Sequence, residues 1–562
     1  MGQGVSSETQ TQAKNATFGS ETDLLSYYDK LALKLITAPE FVSFKSNANV
    51  SEIYDEVSCE MLMKLLSVGS ENSVLVECLF NLMRVLSNFP LIKDSYAPLT
   101  YVGILKCCLL LDKERCPKFV GRKNFDQARL LFVALALNKS VKELSSSPAS
   151  TTPLDSNCIV ENLNGVDLED LYVPSDMMLE FLTFLLRISP YCLTKNSKLP
   201  KDLYDNWPEF KTYALNILRT MSPNIAGMAD LSGKVITCQQ FTGAVKTFFP
   251  QLLDPLGTFV QHVLFLNRDL VVTVEKLTTS LQKSKLVNDA LLSQMATIWQ
   301  RQLLFSTLQK LYVGRESGFS MRSFQSKVFK WMAPSILLVS GMRVADDVEF
   351  ARSNQRYRKF LEEYPRLKDL DQHLDTASRG KRKVLFAVYV DEPWRVTNKA
   401  LFGNLKTAIL QLGPKQNLFQ ATRDENIYFN TVGGGIGIGN SQPALHGPSK
   451  RFRPGNVSLT VDSNLEFGAF RNVGYGGSIV PNNEIYAASD HHASYEYRFL
   501  IQDVEVWGCG GEKELEEQLK NWEWEEAEAK RRQRINLKNL NEERAILEMA
   551  GIIGQAQSGG SM

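Results

Sequence analysis

At 562 residues the chain exceeds what one hydrophobic core can organise, so two or three domains are expected. Apolar and charged contents of 44% and 22% are those of a soluble globular protein, and a formal charge of +1 gives no bulk attraction to nucleic acid. The nine cysteines are scattered without a Cys-x-x-Cys pair, which reads as free thiols in a reducing compartment. The longest apolar run, at 130–137, is too short to span a bilayer, and no signal peptide is expected at the start of the chain.

The first residues, Met1-Gly2-Gln-Gly-Val-Ser6, match the N-myristoylation pattern, with Gly2 as the acceptor. Residues 3–20 are polar, and segment 1–20 is expected to be a disordered, lipidated arm. One myristoyl chain gives a membrane affinity of only about 10⁴ M⁻¹, so stable anchoring needs a second signal. Before Lys30 a single cation, Lys14, faces Glu8, Glu21, Asp23 and Asp29, and no early cysteine offers palmitoylation. The second anchor is therefore expected to be a membrane-resident protein, around which the lipid raises local concentration.

Up to about residue 287 the pattern is helical. Leu75, Leu79, Leu82 and Leu86 share one helix face, as do Met178, Phe181, Leu182, Leu185 and Ile188. The second stripe starts after Pro174-Ser175 and stops before Pro190. A Ser/Thr/Pro stretch at 145–158 reads as a linker between two helical domains, 21–144 and 159–287.

The carboxy half changes period. Leu385 to Val390 is apolar on both faces, which predicts a strand covered on both sides. The glycine run at 433–439 fails the dinucleotide fingerprint, because counting six from Gly433 gives Ile438 and from Gly435 gives Asn440. No Gly-Lys-Ser/Thr follows, so the glycines are read as tight turns and close strand packing. Val457 to Val461 alternates. Tyr495, Tyr497, Phe499 and Ile501 share a face, but Val504 and Val506 fall one residue out of phase. A β-bulge at Gln502-Asp503 would restore the phase.

These segments, taken in order, resemble the TLDc domain. The matching pieces are Tyr312-Val-Gly-Arg-Glu-Ser-Gly-Phe-Ser320 with Phe324, Ser335-Ile-Leu-Leu-Val339, and Phe386-Ala-Val-Tyr-Val-Asp-Glu-Pro-Trp394 with Phe402-Gly403. Asn426-Ile-Tyr-Phe-Asn430 follows, then Gly433, Gly434 and Gly435, Val461-Asp462, Leu465-Glu466-Phe467-Gly468, and Phe499 through Asp503, Glu505 and Trp507. The resemblance implies a domain at 288–510 folded as a two-sheet antiparallel β-sandwich flanked by helices. The motif residues Trp394, Gly433, Gly434, Gly435, Glu466, Gly468, Asp503, Glu505 and Trp507 then serve structure. It also implies EF-hand-like layers in the helical half, although no Asp-x-Asp-x-Asp-Gly calcium loop appears. The whole is expected to be an α+β multidomain chain. Two stretches depart from the family pattern, at 341–383 and 441–456, and both are expected to be solvated insertions.

Beyond the domain, 512–538 lacks Gly and Pro, so a C-terminal helix is expected over 511–549, ahead of a flexible tail at 550–562. Leu515, Leu519 and Trp522 form a stripe with Trp524 displaced around the axis, and the helix turns from acidic to basic near Arg531. This polarity complements the helix dipole, and the same face is a candidate partner contact.

No catalytic set emerges. Asp490-His491-His492 lacks further ligands for a metal shell, and Cys509 lacks a neighbouring cation that would lower its pKa. No metal, cofactor, nucleic acid or small-molecule substrate is expected. The resemblance implies a non-catalytic adaptor, cytoplasmic and peripheral to the vacuolar membrane. It would bind the vacuolar-type proton-pumping ATPase through its peripheral sector or stator and favour disassembly. The alternative is a cytosolic oxidation-resistance or stress factor.

Overall fold

The computed structural model describes residues 17–92, 98–137, 154–191, 202–265, 284–344, 347–365, 383–446, 449–482 and 494–510, with scattered helical positions between 514 and 531. Gly2, most of the 145–158 stretch, the Asp490-His491-His492 segment, Leu515, Leu519 and Trp522 lie outside the described residues.

In the amino half, helices start where a side chain takes up an otherwise orphaned backbone N–H. Ser20 accepts from Asp23 N at 3.1 Å, Ser58 from Met61 N at 3.2 Å, and Asn72 from Leu75 N at 3.1 Å. Both predicted stripes are buried, but they enter one core rather than two. Phe132 packs on Phe241 with ring centroids 5.6 Å apart, and Phe184 on Phe259 at 5.7 Å. The helices of 21–144 and 159–287, expected as separate domains, share one buried cluster. Its reason is the Tyr101–Leu111 helix, buried along its whole length, which must be covered by helices on every side. Disorder was expected through residue 20, yet Thr17–Phe18 pairs with Leu154–Asp155 and Ser20 caps the Glu21–Leu35 helix. Two further short strands, Tyr172–Pro174 and Val235–Thr237, pair antiparallel, and each runs directly into a helix.

Among the described residues the carboxy half holds thirteen strands: β1 (Leu308–Val313), β2 (Ser335–Arg343), β3 (Lys383–Val390), β4 (Ala408–Gly413), β5 (Asn417–Ala421), β6 (Ile427–Asn430), β7 (Gly435–Ile438), β8 (Ser441–His446), β9 (Ser449–Arg453), β10 (Val457–Val461), β11 (Phe467–Asn472), β12 (Ile479–Pro481) and β13 (Tyr495–Cys509). The order β6-β7-β10-β11-β13-β2-β3-β4-β5-β12 makes one antiparallel sheet, with β1 beside the second half of β13 and β8–β9 as a separate hairpin. Two packed sheets were expected; the structure has a single curled one. Phe386 of β3 stacks on Phe470 of β11 at 4.6 Å, and Phe419 of β5 reaches the same ring at 5.3 Å. Strands far apart in the order thus meet across a shared core. β13 explains the continuity, because its 15 residues pair with β11, β1 and β2.

The bulge falls where the pattern requires it. Ile501 lies opposite Gly341 and Asp503 opposite Ser340, leaving Gln502 as the extra residue. Tyr497, Phe499 and Ile501 before it and Val504 and Val506 after it all enter the inner core. β3 is covered on both faces. Val384, Phe386, Val388 and Val390 face inward, while Leu385 and Ala387 meet Leu291, Leu292 and Met295 beside the Asp289–Met295 helix.

Both insertions depart from the solvated loops expected of them. Tyr357, Phe360 and Tyr364 in the first insertion bury against Phe452 of the second and Phe467 of β11. Phe360 lies 5.9 Å from Phe452 and 5.7 Å from Phe467, centroid to centroid. Lys450 pairs with Glu363 at 2.9 Å, both largely buried. The insertions fold onto each other because neither aromatic set could be buried alone. Phe360→Ala should therefore lower stability by about 3 kcal/mol in urea unfolding, whereas a solvated loop would leave the midpoint unchanged.

Candidate functional site

Residues 503, 505 and 507 of β13 point to the face opposite the inner core, since successive side chains alternate. Asp503 accepts two hydrogen bonds from the Arg315 guanidinium, the second at 3.0 Å from Nη2, a forked geometry suited to a planar donor pair. Glu505 is 1% exposed and has three donors: Ser284 Oγ at 2.7 Å, Leu286 N at 3.3 Å and Trp507 Nε1 at 3.0 Å. Ser284 Oγ in turn accepts from Val287 N at 2.8 Å. Glu505 thus staples the segment entering the domain onto the last strand, and Trp507 seals the same face against Ile336, Leu338 and Leu410.

The glycine triplet closes the β6–β7 hairpin. Asn430 Oδ1 accepts from Val432 N at 2.9 Å and Gly434 N at 3.0 Å, which fixes the turn. Gly433 and Gly435 have φ of +98° and +70°, the left-handed region that glycine enters without strain. A Cβ on Gly435 would sit 2.2 Å from Val461 O, and one on Gly434 2.6 Å from the Asn430 side chain. These contacts match the turn-and-packing reading. On one flank, Asn398 Oδ1 accepts from Thr431 N at 2.9 Å; on the other, Lys450 Nζ donates to Gly433 O at 2.9 Å. The outer edge of β6 is covered as well: Thr397 N donates to Phe429 O at 2.9 Å and Phe402 N to Ile427 O at 2.8 Å.

The remaining motif residues also fill structural places. Trp394 is buried against Phe324 and donates to Ser335 Oγ at 2.9 Å. Gly468 lies under the Phe499 ring, where a Cβ would come within 2.4 Å. Glu466 reaches Arg356 at 3.3 Å from a partly exposed position. Arg315 and Ser284 were not singled out from sequence, because their partners lie 188 and 221 residues away. Of the tail residues described, Trp524 is 66% exposed and Arg531 is also exposed. Cys509 is buried, and that burial pushes its thiol up to about 12. Among the described residues, no three His, Cys, Asp or Glu side chains converge as a metal shell would.

A model of the TLDc domain matches residues 280–510. Over its full length the sequence is 53% identical to restriction of telomere capping protein 5 of Lachancea thermotolerans, with all of both chains aligned. It is 49% identical to the Saccharomyces cerevisiae protein of that name, over 99% of each chain, and 47% identical to that of Kluyveromyces lactis, over all of both.

Glu505→Ala would strand the buried donors on Leu286 and Trp507, a cost of about 3 kcal/mol. Thermal unfolding should show that loss, and trypsin should gain a cut at exposed Lys285. Glu505→Gln, which keeps an acceptor in place, should cost less on both readouts.

Proposed function

The chain belongs to the TLDc-domain family, and on that premise we propose that it is a non-catalytic adaptor for the vacuolar-type proton-pumping ATPase at the vacuolar membrane. It would bind the peripheral sector or its stator and regulate assembly, favouring separation of the sectors. The observation that supports a docking body best is how the motif carboxylates are used. Asp503 is held by Arg315 and Glu505 by three donors, so both serve the scaffold. The helical half would position this body. Its paired Tyr172–Pro174 and Val235–Thr237 strands, each leading into a helix, support an EF-hand-like reading of that layer. Gly2, once acylated, would bring the molecule to the membrane, and the exposed face around Trp524 and Arg531 would make or latch the contact.

The names of the relatives speak of restricting telomere capping. We take a telomere phenotype as an expected, indirect consequence for this chain too. The competing reading is a cytosolic oxidation-resistance factor acting through a thiol. It asks for a reactive cysteine, and Cys509 is only 3% exposed, with its pKa raised to about 12 by burial. A thiol so shifted stays protonated at neutral pH, and the neutral form is a poor nucleophile.

Affinity capture from vacuolar membranes should recover ATPase subunits with the full chain and fewer with residues 512–562 removed. Gly2→Ala should move much of the protein to the cytosol. Capture without pump subunits, or unchanged membrane partition in the variant, would count against this reading. In the native protein at neutral pH, a maleimide should label exposed Cys158 and leave Cys509 unmodified. Peroxide consumption lost in Cys509→Ser would support the competing reading.

A further inference from the structure

The loop that leads into the second of the paired short strands contains a cation of its own. It joins the Trp207–Met221 helix to Val235–Thr237. From residue 222 to residue 253 Asp230 is the sole acid. Lys234 Nζ donates to Asp230 Oδ2 and to the backbone oxygen of Asn224. The same carboxylate oxygen accepts from Ala226 N at 3.0 Å, and Ala226 O accepts from Arg219 Nη2 at 2.6 Å. Oxygens of Asn224, Ala226 and Asp230 are thus turned onto one ammonium and one guanidinium.

The main chain fixes where that ammonium stands. Lys234 N donates to Leu231 O at 3.1 Å, and Lys234 O accepts from Ser175 N at 2.9 Å, the first residue of the Ser175–Ile188 helix. Two residues on, Ile236 is fully buried opposite Val173. Asp230 and Lys234 are partly exposed, and an exposed i,i+4 pair along a helix contributes little. This pair closes a turn instead, and its lysine also holds the main chain at Asn224.

A calcium loop surrounds its ion with about six to eight oxygens, several of them from carboxylates, and ends on a bidentate glutamate. A single carboxylate balances an ammonium but not a divalent ion. Three residues into the following helix stands Gln240, and its side-chain oxygen already accepts from Thr237 N at 3.0 Å.

Resting on the EF-hand-like reading of this layer, we propose that the Lys234 ammonium takes the part a bound metal ion plays in loops of that kind. It holds the loop between helix and strand permanently, so the helical layer neither opens nor closes with calcium.

Hydrogen–deuterium exchange and thermal unfolding of the full chain, each with calcium chloride and with a chelator, provide the test. The native protein should give one unfolding midpoint and one exchange pattern over 222–235 in both conditions. Lys234→Met keeps the aliphatic stem and removes the charge. It should speed exchange of the Ala226 amide roughly ten-fold, the worth of one charge-assisted hydrogen bond. Lys246→Met, which breaks the exposed pair with Asp126, should leave 222–235 unchanged. A calcium-dependent shift in the native chain, or an unaltered 222–235 segment in Lys234→Met, would overturn the proposal and leave the strand pairing intact. Fast exchange at Val173 and Ile236 of the native chain would instead remove that pairing, on which the EF-hand-like reading and this proposal both rest.

Discussion

A single strand paired along both of its edges is the constraint on which the carboxy half depends. β13 pairs with three other strands along its 15 residues, so a change in its phase is felt throughout the sheet. The extra residue at Gln502 allows one strand to keep apolar side chains on the inner face from Tyr497 to Val506. Its other face, after the bulge, is given to Asp503, Glu505 and Trp507. These hold respectively Arg315, the entry segment at Ser284–Leu286, and the layer that docks the helical half. Inner packing and attachment to the rest of the chain are thus set by alternate residues of one strand.

Much of this was legible from residue order, for reasons that are local. The phase slip between Ile501 and Val504 is a property of adjacent residues, and so is the two-faced apolarity of β3. The glycine turn was legible for the same reason, since the spacing by itself excludes the phosphate-binding motifs. What escaped the sequence was tertiary. Tyr357, Phe360 and Tyr364 form a helical stripe, but Arg356, Arg358, Lys359, Glu362 and Glu363 crowd it, and its partner Phe452 lies in another insertion. The fusion of two helical groups into one core was hidden similarly. Nothing near residues 145–158 reveals that Phe132 will meet Phe241.

The candidate surfaces follow the same division. Motif residues were expected to serve structure, and the partners of Glu505 and Asp503 came only with the fold.

The covered border of β6 has a wider consequence. An unpaired strand invites another chain to extend the sheet, the usual route to edgewise self-association. Here the 397–402 segment occupies those backbone groups, and the opposite end strand, β12, finishes in Pro481, which has no amide to donate. With both ends of the ladder blunted, any partner at these edges must be recognised by side chains and shape rather than by strand addition. Copies of the chain would thereby resist joining through these two edges.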